Sequence, residues 1–389
     1  MYPIPTSYET IISCNGQSVP HAYGAELKNE FTKEKKVRFI MRYIFFTISL
    51  LIIACKDRKP TKLSEEIEEV SHMNKFEWRP TECAPEHYPV TIYQGEFATE
   101  EDDYFEIPKG GVFSQGWGNT GSTWVVGPDF KSIPIKLRII WISYTENQFY
   151  YGDFDLPKEK ITALFKKGFL DNTGKQDEYT NLTVGLAPGG AVSVWVMGAG
   201  NYVEVGHYQA TKTDVAMKDF APYASMNREE YVNDVQKHFS EETKNNLAKE
   251  GIPIGKWTAY RKSYNWRPTF KHKDGGVLVD FLNKFYNGDL YNVRADNPIL
   301  QEFRVSPPTQ RISFDWDDKT KTRYTGVINF DEKEIWNAFE KMYENPKNTQ
   351  AELLLEVDKY NSSIRIILKS ENDTIPIEKS KVKIYVTPV

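Results

Sequence analysis

A chain that repeats its own pattern must fold that pattern twice, and here Trp78-Arg79-Pro80-Thr81 recurs as Trp266-Arg267-Pro268-Thr269. Each copy is followed by an alternating stretch suited to a strand, Val90-Thr91-Ile92-Tyr93 in one and Val277-Leu278-Val279-Asp280 in the other. Further along, Pro134 to Trp141 (PIKLRIIW) matches Pro308 to Trp316 (PTQRISFDW) with one insertion. Tyr150, Gly152, Phe154 and Leu156 then fall against Tyr324, Gly326, Ile328 and Phe330. The spacing of the copies is roughly 175 to 188 residues, long enough for each repeat to be a whole module.

The copies stay in step into a helix. Ile161, Leu164 and Phe165 in one, and Ile335, Ala338 and Phe339 in the other, are three and four residues apart and so share a face. Pro157 suits the first turn of the first helix, and Asp331 with Glu334 forms a capping pattern for the second. Two strands follow each helix: Leu182 to Leu186 and Val192 to Val196, then Leu353 to Val357 and Ile364 to Leu368. Pro188-Gly189-Gly190 and Asn361-Ser362 supply the turns. Each module reads strand, strand, strand, helix, strand, strand, and a helix covering one sheet face buries these apolar sets. The expected fold is α+β and β-rich, with two similar modules of antiparallel sheet related by internal duplication, at residues 76–212 and 264–389.

Between them, residues 213–263 read as a helical connector. Val203, Val205, His207 and Gln209 make one more strand closing the first module. One long helix is expected next, with Asn227 and Glu230 as a capping box, Tyr231, Val235, Phe239 and Leu247 on one face, and Gly251 as the stop. This helix would pack across both modules. The aromatic content of 14% suits pleated, half-buried strands. A net charge of -5 disfavours nucleic acid as a partner, since phosphate binding needs a basic surface.

Upstream of the modules, MRYIFFTISLLIIAC spans Met41 to Cys55. A basic residue, a short apolar run and Ile52-Ile53-Ala54-Cys55 form the lipobox pattern of a lipoprotein signal peptide, and the run is too short to span a bilayer. Cleavage before Cys55 would remove residues 1–54 and leave Cys55 as the lipidated N-terminus. An n-region starting at Met1 would be long, which points to Met41 as the start. Residues 55–75 are polar and read as a flexible tether. Of the three cysteines, Cys14 lies in the leader and Cys55 is the lipid site, so Cys83 has no disulfide partner and reads as inert.

No catalytic constellation is visible. Gly116, Gly118 and Gly121 spell G-x-G-x-x-G, but the following Ser122 to Val126 reads as a strand where a phosphate site needs a helix N-terminus. The histidines of the mature chain lack zinc-ligand spacing, and the acidic clusters at Glu100 to Asp103 and at Asp315, Asp317 and Asp318 lack the order of a calcium loop. No metal site, catalytic residue or cofactor is therefore expected. Trp117 and Trp124 flank the glycine-rich loop and, if exposed, would offer a flat apolar platform for a glycan or a partner protein.

The runs Thr183 to Val196 (TVGLAPGGAVSVWV), Glu204 to Ala210 (EVGHYQA) and Tyr260 to Trp266 (YRKSYNW) resemble the bacterial lipoproteins grouped as domain of unknown function 2931. Leu137 to Trp141 with Tyr151 and Gly152 fits as well, and the resemblance covers most of the chain after residue 76. It implies a secreted, lipidated, β-rich protein and no reaction. The leading expectation is a non-enzymatic binding protein of the cell envelope. It would be held by its lipid on the outer membrane, facing the periplasm or the cell surface, and take a protein or glycan in a groove between modules. One alternative is an immunity lipoprotein neutralising a secreted antibacterial toxin. Another is a hydrolase of envelope polymers, which a convergent acid and base in one pocket would favour.

Overall fold

A computed structural model describes residues 74–387, which belong to one compact unit. Cys55, the leader and most of the tether lie outside the described residues. Among the described residues no helix is long and apolar enough to cross a membrane.

The first half comprises β1 (Arg79–Cys83), β2 (Val90–Ala98), β3 (Tyr104–Glu106), β4 (Lys136–Ser143) and β5 (Gln148–Asp155). Helix α1 (Lys158–Lys167) follows, then β6 (Tyr179–Ala187), β7 (Ala191–Gly198), β8 (Asn201–Gln209) and β9 (Thr211–Thr213). After a single helical turn at Met217–Phe220 come α2 (Arg228–Lys237), α3 (Glu241–Glu250) and α4 (Lys256–Ala259). The second half holds β10 (Tyr264–His272), β11 (Val277–Phe285), β12 (Leu290–Arg294), β13 (Arg304–Ser306), β14 (Thr309–Asp317) and β15 (Arg323–Asn329). It ends with α5 (Glu332–Glu344), β16 (Ala351–Val357), β17 (Ile364–Lys369), β18 (Thr374–Ile377) and β19 (Lys381–Val386).

The halves have the same strand connectivity. In the first, the Trp-Arg-Pro-Thr strand β1 lies parallel to β6, which turns back into β7, while β2, β4 and β5 form an antiparallel set. In the second, β10 lies parallel to β16, which turns back into β17, while β11, β14 and β15 form the antiparallel set. Matching tryptophans sit in matching surroundings. Trp78 and Trp266 donate their indole N–H to the carbonyls of Ser132 and Ser306, at 3.3 and 3.2 Å. Trp141 stacks on Tyr150 at 5.3 Å, and Trp316 stacks on Tyr324 at 5.6 Å. All four are fully buried, as expected of a fold that spends its aromatics on cores.

The halves are fused rather than strung together. A nine-stranded sheet runs β1-β6-β7-β8-β12-β11-β14-β15-β19, so four strands of the first half continue into five of the second. The join is narrow: β8 meets β12 only at Asn201 opposite Tyr291 and Tyr202 opposite Leu290. A five-stranded sheet, β9-β5-β4-β2-β3, completes the first half, and another, β13-β10-β16-β17-β18, completes the second. The first-half core takes Ile161 and Phe165 from α1, and the second takes Ile335, Ala338, Phe339 and Met342 from α5.

Two expectations are corrected. The single connector helix is broken, because the Ser240 side chain accepts from the Thr243 N–H at 3.1 Å and caps a new helix. The capping box of Asn227 and Glu230 is present, and Gly251 ends α3 at φ 65°, a positive value that favours glycine. Ser122 to Val126 belongs to no strand. Its β-branched residues find no neighbouring edge to pair with, so local propensity has nothing to act on. At α5 the cap is half formed: Asp331 accepts from Glu334 N–H at 2.9 Å, but the Glu334 carboxylate turns away to accept from the N–H groups of Glu378 and Lys379 at 2.8 Å.

Candidate functional site

A cleft of about 710 Å³ opens along the seam where the first half, the connector helices and the second half meet. The first half contributes the glycine-rich loop. Gly118 has φ 67°, and a Cβ there would lie 2.5 Å from the Cα of Gly288 in the β11–β12 turn, so glycine is what lets backbone meet backbone across the seam. Aromatic rings from all three parts line the cleft and lock together. Trp117 packs edge-on against Trp195 with centroids 4.9 Å apart, Tyr88 against Trp257 at 5.2 Å, and Tyr260 against Tyr286 at 5.1 Å. Tyr88 donates to the Gly251 carbonyl at 3.1 Å, which ties the β1–β2 connection to the end of α3.

Charges are set into this frame. Glu332 at the start of α5 pairs with Lys256 at 2.9 Å and accepts from the Tyr260 hydroxyl at 2.8 Å. Lys284 of β11 and Arg311 of β14 face each other directly across the strand pair. The Lys284 ammonium donates to the side-chain carbonyl of Asn119 in the glycine-rich loop. Burial holds that ammonium below the usual lysine range, and Arg311 acts in the same direction. Beside it the Cys83 thiol is fully buried and pushed up to about 12 by desolvation, so it is neutral and unreactive at ordinary pH.

A second, smaller pocket of about 290 Å³ lies at the β8–β12 join. Trp195 sits opposite Glu204 and Val194 opposite Gly206, which makes Val205 an extra residue on β8. Side chains three apart on a regular strand point to opposite faces; the bulge brings Glu204 and His207 to the same one. Their nearest polar atoms are 3.9 Å apart. Arg261 pairs with the Glu204 carboxylate, and Asn287 donates to both Glu204 at 3.3 Å and Asp289 at 3.0 Å. The Glu204 N–H donates to Asp289 at 2.6 Å. His207 is hydrogen-bonded through Nδ1 to Ser193 at 2.9 Å and through Nε2 to Thr258 at 3.0 Å. Burial pushes Glu204 up to about 7 against the pull of Arg261, and pushes His207 down to about 4 with Arg261 adding to the effect. Of the two, only Glu204 lines the pocket, so it is the group placed to meet a bound molecule there.

The two tryptophans expected to form a platform part company. Trp117 is 9% exposed and belongs to the core under the cleft, while Trp124 is 38% exposed beside Val125, on the irregular stretch that follows the glycine-rich loop. Trp117 is therefore an anchor of the loop, not an exposed platform. Glu86, His87 and Glu242 bring three potential metal ligand atoms within 4.8 Å of one another at the cleft rim, two of them on exposed residues. Sequence reasoning singled out none of Lys284, Arg311 and Asp289, and met Glu204 only as the start of the EVGHYQA run, with no role for its carboxylate. Lys284 and Arg311 look like solvent-facing members of alternating strands, and only the register places them opposite each other. A glutamate three residues before a histidine in a strand looks like two unrelated side chains until the bulge is known.

Fold and site together define a β-rich α+β protein of two fused halves, with a polar, aromatic-framed cleft along the seam. The sequence model of the family described as "Protein of unknown function (DUF2931)" matches residues 59–255, and the chain belongs to that family. The match takes in the first half and most of the connector; the Tyr260 to Trp266 motif lies beyond it. No curated protein and no solved structure matches the chain.

Proposed function

We propose that this chain is a non-enzymatic binding protein of the cell envelope, anchored by a lipid on Cys55, which captures its partner in the cleft along the seam. The observation that carries the reading is the cleft itself, which is walled by both halves and the connector and is large enough for a ligand-sized group. The lipobox pattern before Cys55 supports an outer-membrane location, with the polar stretch after it as the tether. The shared connectivity and the matched Trp78/Trp266 and Trp141/Trp316 surroundings support descent of the halves from one duplicated module. Gln310 lines the cleft and is exposed, so Gln310→Trp should fill the cleft without disturbing the core. Envelope extract passed over the full chain should yield a partner that the Gln310→Trp variant loses and a Trp124→Ala variant keeps. Equal retention by Gln310→Trp would overturn the reading.

The pocket at the β8–β12 join, which Glu204 lines, favours a second reading, hydrolysis of an envelope polymer, with Glu204 as acid. Glu204→Gln should then abolish release of soluble fragments from isolated envelopes. Release unchanged by that substitution would count against the reading.

A further inference from the structure

The cleft holds two cations, Lys284 and Arg311, that no described residue neutralises. Lys284 and Arg311 are directly opposed on neighbouring antiparallel strands, a position where like charges repel. Among the described residues neither takes part in an ion pair, and the only hydrogen bond of the Lys284 ammonium is to the neutral Asn119 amide. The acids that share the cleft are occupied elsewhere or stand at its rim. Glu332 is held by Lys256 and Tyr260, Glu250 by Lys249 at 3.0 Å, and Glu86 clusters with His87 and Glu242. A half-buried ammonium facing a like charge is unfavourable unless something negative arrives, and the cleft is where it would arrive. Asn119 adds to this by fixing the ammonium from the glycine-rich loop, so the donor is oriented before any ligand binds.

We propose that Lys284 and Arg311 together form an anion site that receives a carboxylate or phosphate group of the molecule bound in the cleft. This rests on the cleft being the binding site and adds the chemistry of what it takes. Lys284 supplies a point charge from inside, and Arg311, exposed at the mouth, supplies a planar fork able to grip two oxygens.

The test is thermal unfolding of the full chain titrated with inorganic phosphate, acetate, and short-chain phosphatidylglycerol or phosphatidylcholine as monomers. Phosphate or acetate should raise the midpoint of the wild type, with an apparent Kd weakened at least tenfold in Lys284→Met and in Arg311→Gln, and weakened by added salt. Lys284→Met should also unfold at a higher temperature than wild type when no anion is present, because an unpaired buried charge has been removed. A shift by phosphatidylglycerol alone, absent with phosphatidylcholine, would place the anion on a lipid headgroup. No shift by any anion, or equal shifts in wild type and Lys284→Met, would overturn the inference. Partner capture that still depends on an open cleft would then leave the binding reading intact. Conversely, anion binding lost in Lys284→Met together with partner capture unaffected by Gln310→Trp would retain the anion site and reject the cleft as the capture site.

Discussion

Glu204 and His207 pull stability in opposite directions with pH. Glu204 has its folded pKa raised from 4.5 to about 7, so the folded state holds an extra proton between those values and stability falls as pH rises through them. His207 has its folded pKa lowered from 6.5 to about 4, so the unfolded state holds the extra proton and stability falls as pH drops from 6.5 to 4. Each shift is worth about 3 kcal/mol, and over most of their common window they offset each other. Glu204→Gln should therefore unmask a rise in stability with pH between 4 and 6.5, and His207→Asn should unmask a fall between 4.5 and 7, both measurable by urea unfolding at a series of pH values. A pH dependence identical to wild type in both variants would show that these groups titrate as they do in the unfolded chain.

Among the elements, α5 shows how directly sequence spacing became packing. Ile335, Ala338, Phe339 and Met342 recur at helical intervals, and all four are buried against the second-half core. Phe339→Ala should cost about 3 to 5 kcal/mol in chemical denaturation, whereas Tyr360→Ala, at a position 73% exposed, should stay within about 0.5 kcal/mol. The strands of both halves were equally readable, because Trp78 and Trp266 bring the same alternation with them. What escaped was one local cap and whatever depends on a partner far away in the chain. Ser240 looks like one more polar helix residue, yet its hydroxyl accepts from the nearby Thr243 N–H and restarts the helix. Ser122 to Val126 has the composition of a strand and no edge to join. Lys284 gains meaning only from Arg311 across the ladder and Asn119 from the other half, neither of which periodicity reveals.

At the scale of the whole molecule, the nine-stranded sheet makes the halves one cooperative body. Heating should give a single transition in which tryptophan fluorescence and far-ultraviolet circular dichroism coincide; two separated transitions would show that the narrow join at Asn201 and Tyr202 does not couple them. Replacement of Cys55 by Ser should abolish lipid labelling and release the chain from membranes, and unchanged labelling would remove the proposed anchor.

The same join has a consequence for assembly. It is head-to-tail: β8 of the first half meets β12 of the second, and the strands that correspond to these, β18 and β3, are left as edges of two different five-stranded sheets. A contact of this kind does not close on itself, and repetition between molecules would add copy after copy into a fibre. Both free edges carry obstacles to that outcome. Pro376 sits within β18 and offers no N–H to an incoming strand, and the acidic run Glu100 to Asp103 leads directly into β3. Pro376→Val combined with neutralisation of Glu100 to Asp103 should turn a discrete particle into one whose light scattering grows with concentration. Two like halves in one chain thus use that pair of edges once, and proline and acid stand at their two counterparts.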